Sequence, residues 1–134
     1  MLKDIPELKV QDIGVAIVNE LNNEQEMEWN VYILNLKKEP IDGVLVSSTG
    51  YGEVNGDHKK SSTLRHFIEK IEALDFSKIE PIIEDVFSLT NEYWVSFRWN
   101  GNIYDKKFIF LPESICETNF VQIPLINKKG VIIK

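Results

Sequence analysis

Between Trp29 and Gly52 two apolar runs, Val31 to Leu36 and Val44 to Val46, flank the polar segment Lys37 to Gly43, which holds Pro40, Asp42 and Gly43. β-Branched and aliphatic residues at this density, separated by turn chemistry, predict two strands joined as a β-hairpin. In the first strand Trp29, Val31, Ile33 and Asn35 share one face, and Tyr32, Leu34 and Leu36 share the other. Two apolar faces predict a central strand. Upstream, Met1 to Leu8 reads as a short lead-in and Val10 to Val18 as the first strand. There Ile13, Val15 and Ile17 oppose the small Gly14 and Ala16, so a close-packed neighbour is expected over the second face. Asn19 to Glu28, polar and acidic, reads as a solvent-facing loop.

Downstream, Asn55-Gly56 carries the pair best suited to a type I′ turn and predicts a strand over Ser61 to Ile71. The same stretch places Leu64, Phe67, Ile68, Ile71 and Leu74 at helical spacing, with Ser62 or Thr63 as a cap, so strand and helix both stay open. Lys78 to Ile83 is interrupted by Pro81, which cannot donate to a ladder and predicts an edge strand or a bulge. Asn100-Gly101 is the clearer hairpin signal. A two-residue loop there pairs Trp99 with Asn102, Phe97 with Tyr104, Val95 with Lys106 and Tyr93 with Phe108. One face is then aromatic, and on the other Arg98 and Asp105 become diagonal neighbours able to pair. After Pro112 the tail offers Phe120 to Ile123, a break at Pro124, and Val131-Ile132-Ile133, either one more small hairpin or a strand returning to the sheet.

Short strands separated by frequent turns predict a single domain over residues 1–134, all-β, with an antiparallel immunoglobulin-like β-sandwich as its architecture. One short helix at 62–74 is compatible with it, and the alternative is an α+β fold with one helix on an antiparallel sheet. The stretch Asn91 to Val95 resembles the tyrosine corner of a late immunoglobulin-type strand. That resemblance implies a Tyr93 hydroxyl turned back to the backbone upstream.

Composition changes this picture little. The chain has 134 residues, 43% hydrophobic and 27% charged, which is ordinary for a globular protein. A net charge of −6 argues against nucleic acid as the main partner. Cys116 is the single cysteine, so no internal disulfide forms, and MLKDIPELKV has no apolar signal core. Both suit a cytoplasmic protein. No apolar run approaches membrane-spanning length, so no membrane partner is expected.

Candidate chemistry is sparse. His58, His66 and Cys116 lack the close spacing of a zinc site, so no metal and no cofactor is expected. Ser47, Ser48 and His66 supply the ingredients of a nucleophile but no G-x-S-x-G elbow, and no catalytic residue is assigned. Glu84-Asp85 adds carboxylates without a defined geometry. The glycines of GYGEVNG lack the Gly-Lys-Ser/Thr ending of a phosphate loop. The most unusual feature is four Lys-Lys doublets, at 37-38, 59-60, 106-107 and 128-129. Lysines at turns and edges block strand-to-strand association. Gathered on one face they would bind an acidic partner, and Lys37, Lys38, Lys59 and Lys60 are the candidate binding residues on two turn tips.

The segments WNVYILNLK, IDGVLVSSTGYG, NEYWVSF, IYDKKFIFLPESI and IPLINKKGV resemble a family of short, uncharacterised bacterial proteins. Some members carry the name phenylalanyl-tRNA synthetase alpha subunit. The resemblance covers nearly the whole chain and transfers no catalytic residue, so what it implies is a synthetase-like name without synthetase activity. The reading that the residues favour is a non-enzymatic interaction module with a protein partner. Its rivals are a small-molecule binder or enzyme using a cleft near His66, lined by Tyr51 and Trp94, and a homodimer built through edge strands at Val131-Ile132-Ile133.

Overall fold

A computed structural model describes residues 9–134 except 55 and 62. The lead-in, Asn55 of the first predicted type I′ turn and the candidate cap Ser62 lie outside the described residues. Among these, ten strands run in chain order: β1 (Ile13–Leu21), β2 (Met27–Asn35), β3 (Ile41–Val54), β4 (Asp57–Lys60), β5 (Leu64–Ile71), β6 (Asp75–Ile82), β7 (Thr90–Trp99), β8 (Asn102–Phe110), β9 (Val121–Gln122) and β10 (Lys129–Ile133). They form two antiparallel sheets. One has the order β6-β2-β1-β10-β9; in the other β3 is flanked by β7 and β8 on one edge and by β4 and then β5 on the opposite edge. The antiparallel β-sandwich is therefore the fold, and residues 64–71 are strand where helical spacing offered a helix. No helix among the described residues is long and apolar enough to cross a membrane.

The inner faces alternate as a sandwich requires. Ile13, Val15, Ile17, Val31 and Ile33 of one sheet meet Val44, Val46, Tyr93, Val95, Phe97 and Phe108 of the other in one core. A second, smaller core lies outside the first sheet. Ala16, Val18 and Leu34 are covered there by Ile123, Leu125 and Ile126 from the tail, and Ile132 packs against Gly14, so the close-packed neighbour that Gly14 and Ala16 foretold is the C-terminal segment. Gly130 faces Val18 in the β1–β10 ladder, and a Cβ added to it would collide with the backbone of Ile17 and Val18.

The β7–β8 hairpin has the register read from Asn100-Gly101, with Trp99 opposite Asn102 and Tyr93 opposite Phe108. Both turn residues take positive φ, 53° and 80°. Two local readings are corrected. Arg98 pairs at 3.3 Å with Asp42, its direct cross-strand partner on β3, and Asp105 instead accepts from the Trp94 indole at 3.1 Å. The acidic segment 19–28 is no long loop: β1 extends to Leu21 and β2 begins at Met27, so only a tight turn separates them.

β2 and β3 are both strands, yet they do not pair with each other. β2 lies between β1 and β6, while β3 belongs to the opposite sheet, so residues 36–40 cross the sandwich and do not close a hairpin. The return crossing at 72–74 runs alongside. Asn35, fully buried, ties the two crossings together. Its amide donates to the carbonyls of Glu39, Ile71 and Glu72 at 2.9, 3.2 and 3.0 Å, and its Oδ1 accepts the Lys37 N–H at 3.0 Å. The same crossings carry β5 onto one sheet edge and β6 onto the facing edge of the other, so the side of the sandwich between them is where a cleft can open.

Candidate functional site

The site begins with a bulge. β6 pairs with β2 as Tyr32↔Lys78 and then Val31↔Glu80, leaving Ile79 extra between them. Pro81 sits two residues on, opposite Asn30, at the free edge of the sheet. Edge strand and bulge are thus both present where Pro81 interrupts the run. Cross-strand partners share a face, and Val31 is in the core, so the shift turns Glu80 into the sandwich. A regular ladder would have placed it opposite Asn30, outside.

Three donors meet this carboxylate. Ser48 of β3 donates its hydroxyl to Oε1 at 2.9 Å, and Nε2 of His66 on β5 lies 2.7 Å from the same oxygen. The Tyr93 hydroxyl on β7 donates to Oε2 at 3.4 Å. Burial, and then the neighbouring Glu80 charge, push the Tyr93 phenol well above its usual range. Its hydroxyl goes to Glu80, not back to the upstream backbone that a tyrosine corner would use. The arrangement joins both sheets, because Glu80 comes from one and its three donors from the other.

Glu80, Ser48 and Tyr93 line one wall of a cleft of about 290 Å³. Its other walls are largely apolar: Pro81, Ile82 and Ile83 from β6 and the turn beyond it, Leu64 from β5 and Val86 from the connection to β7. Leu64 and Ile83 are half or more exposed and edge the opening. Gly50 sits in the floor, where a Cβ would meet Asn91 Oδ1 at 3.2 Å and Ser61 Oγ at 3.4 Å. The Ser61 hydroxyl accepts the Gly50 N–H at 2.7 Å, and the Ser61 N–H donates to the Gly50 carbonyl, also at 2.7 Å. Asn91 donates to the carbonyls of Val86 at 2.9 Å and Leu89 at 3.2 Å, which holds the 83–89 connection beside the cleft.

Chemically the cluster differs from a nucleophile–base pair. Ser48 and His66 both address Glu80 and have no hydrogen bond to each other. A hydroxyl that donates to a carboxylate already engaged by an imidazole is positioned as a structural donor, not as an attacking group. An apolar cleft with one oriented charge has the make-up of a binding site.

The lysines are dispersed. Lys37 is buried, with its ammonium 3.9 Å from the centre of the Trp99 ring. Lys38 is exposed at the crossing, and Lys59 and Lys60 are exposed on β4 opposite Gly52 and Tyr51. The two doublets lie toward opposite ends of β3, roughly 30 Å apart at about 3.3 Å per residue. Lys106 donates to the Lys134 carbonyl at 3.0 Å and Lys128 pairs with Glu20 at 2.6 Å. Of the trio expected to line a cleft none does; His66 comes nearest, set behind the wall against Glu80. Tyr51 and Trp94 lie on the outer face, since they alternate with the inward Gly50 and Tyr93. Glu80 escaped the sequence reading; its one signal was Pro81 beside it, which marks the bulge without giving its register. Among the described residues no group of three or more His, Cys, Asp or Glu side chains is arranged to hold a metal.

Another carboxylate, the buried Glu20, works as a tie. Its Oε2 accepts from Tyr32 at 2.6 Å and Asn30 at 2.7 Å, and Oε1 binds Lys128. Burial alone would raise its pKa, but the hydrogen bonds from Lys128, Tyr32 and Asn30 outweigh it and hold the carboxyl below the usual range.

No family model, no curated protein and no solved structure matches the chain.

Proposed function

We propose that this chain is a non-enzymatic binding module whose recognition site is the cleft between β5 and β6. The observation that supports it most is the inward-turned Glu80 at the wall of a largely apolar cleft, fixed by three donors before any ligand arrives. Pre-organisation of this kind lowers the cost of binding. The ligand is a small molecule with an apolar body and a polar end that meets Glu80. The apolar body packs on Leu64, Ile83 and Val86. Lys59 and Lys60, exposed beside a shallower depression with Asp85 and Leu89, are the lysines left to serve a protein partner of the module.

A ligand screen read by methyl NMR tests the proposal. Binders are expected to move the Leu64, Ile82 and Ile83 methyl signals together and to raise the melting temperature. Binders that shift only residues outside the cleft would refute the assignment.

A further inference from the structure

We infer that the group recognised at Glu80 is a protonated alkylamine, and that its binding competes with the proton on His66. The inference rests on the cleft being the recognition site, as proposed above. Glu80 is the one fully charged side chain in the cleft lining. Around it, the polar neighbours are already committed: Ser48 donates to Glu80 itself, Thr49 shares a hydrogen bond with Thr63, Ser61 accepts the Gly50 N–H, and the Asn91 amide donates to Val86 and Leu89. A carboxylate has about four acceptor positions, and Ser48, His66 and Tyr93 occupy three of them, the Tyr93 contact being long at 3.4 Å. What the wall still offers is acceptor capacity on Oε2. The incoming group must therefore donate.

Among donors, charge decides. Any donor makes a charge-assisted bond to the carboxylate, but only a cation also compensates its charge in apolar surroundings, and an anionic ligand would meet repulsion at short range. The apolar lips Leu64 and Ile83 cover an alkyl stem, as aliphatic surface does for the stem of a lysine side chain. An alkylammonium thus supplies stem, donor and compensating charge; an alcohol lacks the charge, and a carboxylate lacks both donor and compensating charge.

The coupling follows from the 2.7 Å contact between His66 and Glu80. Glu80 is the charged group facing the imidazole; β3 presents Val46 and Ser48 to it, and Tyr93 of β7 reaches the same carboxylate. On β5 itself Arg65, Glu69 and Lys70 are exposed. When His66 is an imidazolium the carboxylate is already neutralised. One carboxylate cannot neutralise two cations in an apolar cleft, so the arriving ammonium is favoured when His66 has lost its proton.

The test is an NMR titration of the full chain with hexylamine, hexanol and hexanoate at about pH 5.5 and about pH 7.5, the two sides of the histidine range. Hexylamine is expected to shift the Leu64, Ile83 and His66 signals saturably, with Kd about tenfold lower at the higher pH. Hexanol should bind at least about tenfold more weakly than the amine, and hexanoate should not bind. In Glu80→Gln the preference for amine over alcohol should vanish. In His66→Gln amine binding should persist and its pH dependence should disappear. Hexanol or hexanoate binding these residues as tightly as hexylamine would overturn the amine and leave the cleft standing. Equal amine affinity at both pH values would overturn the coupling. No saturable shift from any of the three would overturn the cleft assignment and the inference together.

Discussion

Val31 and Glu80 are direct cross-strand partners, an aliphatic side chain and a carboxylate side by side on the inner face of one sheet. The pairing exists because Ile79, itself buried in the core, is the extra residue of a bulge, and it is tolerated because Ser48, His66 and Tyr93 surround the charge with donors. Glu80→Ala removes their common acceptor and leaves buried donors without a partner. Each such orphan costs about 1–3 kcal/mol, so a loss of roughly 3 kcal/mol is expected, partly relieved where the cleft admits water. Glu80→Gln keeps an acceptor oxygen and should cost about 1 kcal/mol. Urea unfolding of the three proteins checks the order.

Asn35 makes a second expectation, for the corner. Asn35→Leu keeps the branched shape and leaves the Glu39, Ile71 and Glu72 carbonyls and the Lys37 N–H without their partner. The loss should be about 3 kcal/mol, at the upper end of single substitutions. Asn35→Asp should be worse at neutral pH, since a carboxylate would face three carbonyl oxygens, and should recover as the pH is lowered and the carboxyl protonates. Stability curves of both variants at neutral and acid pH distinguish a lost hydrogen bond from a misplaced charge.

These two residues also show how much could be read beforehand. The β7–β8 register was legible because a two-residue Asn-Gly loop fixes pairing locally. The covering of Gly14 and Ala16 was legible because small side chains record a close neighbour. By contrast, Lys37 to Gly43 has turn chemistry whether the chain reverses within one sheet or crosses to the other. What decides is Asn35 reaching Ile71, 36 positions away, and no local pattern contains that. Segment 19–28 looked like loop because Glu20 and Glu28 read as solvated charges, whereas Asn30 donates to both. Residues 64–71 kept both readings open because their outer face carries Phe67 and Leu64 lies at the cleft mouth, both well exposed, so burial left only a faint alternation. Glu80 was hidden for the same non-local reason as the crossing: its face is set by the register against β2.

Acid stability should depend on Glu20. Its folded pKa is depressed, so its contribution is present above the unfolded value of about 4.3 and is lost as pH falls toward and through the folded value. Glu20→Gln should therefore flatten the decline in stability between roughly pH 5 and pH 2, the window of such carboxylates. Tyr32 runs the other way. Burial, and then its bond to Glu20, raise the phenol, so its contribution holds below about pH 10 and falls away at higher pH. Guanidinium unfolding across the pH range should show the acid limb flattened in Glu20→Gln and the alkaline limb flattened in Tyr32→Phe.

Lys37 separates a structural lysine from an exposed one. Its ammonium stacks on Trp99 inside the crossing, where a desolvated cation–π contact is worth about 2 kcal/mol. Lys37→Glu would bury a carboxylate against the ring and should destabilise the protein by about 3 kcal/mol or more. Lys37→Met keeps the stem, removes both the contact and the burial of the charge, and should change stability by less than about 1 kcal/mol while altering Trp99 emission. Reversing Lys38, Lys59 or Lys60, all exposed, should stay within about 0.5 kcal/mol. A change in partner capture on reversing Lys37 would then report a damaged fold, and only the same change on reversing Lys38, Lys59 or Lys60 would report a lost contact. Comparing the melting curves of the four single reversals establishes which of them can be used to search for a partner.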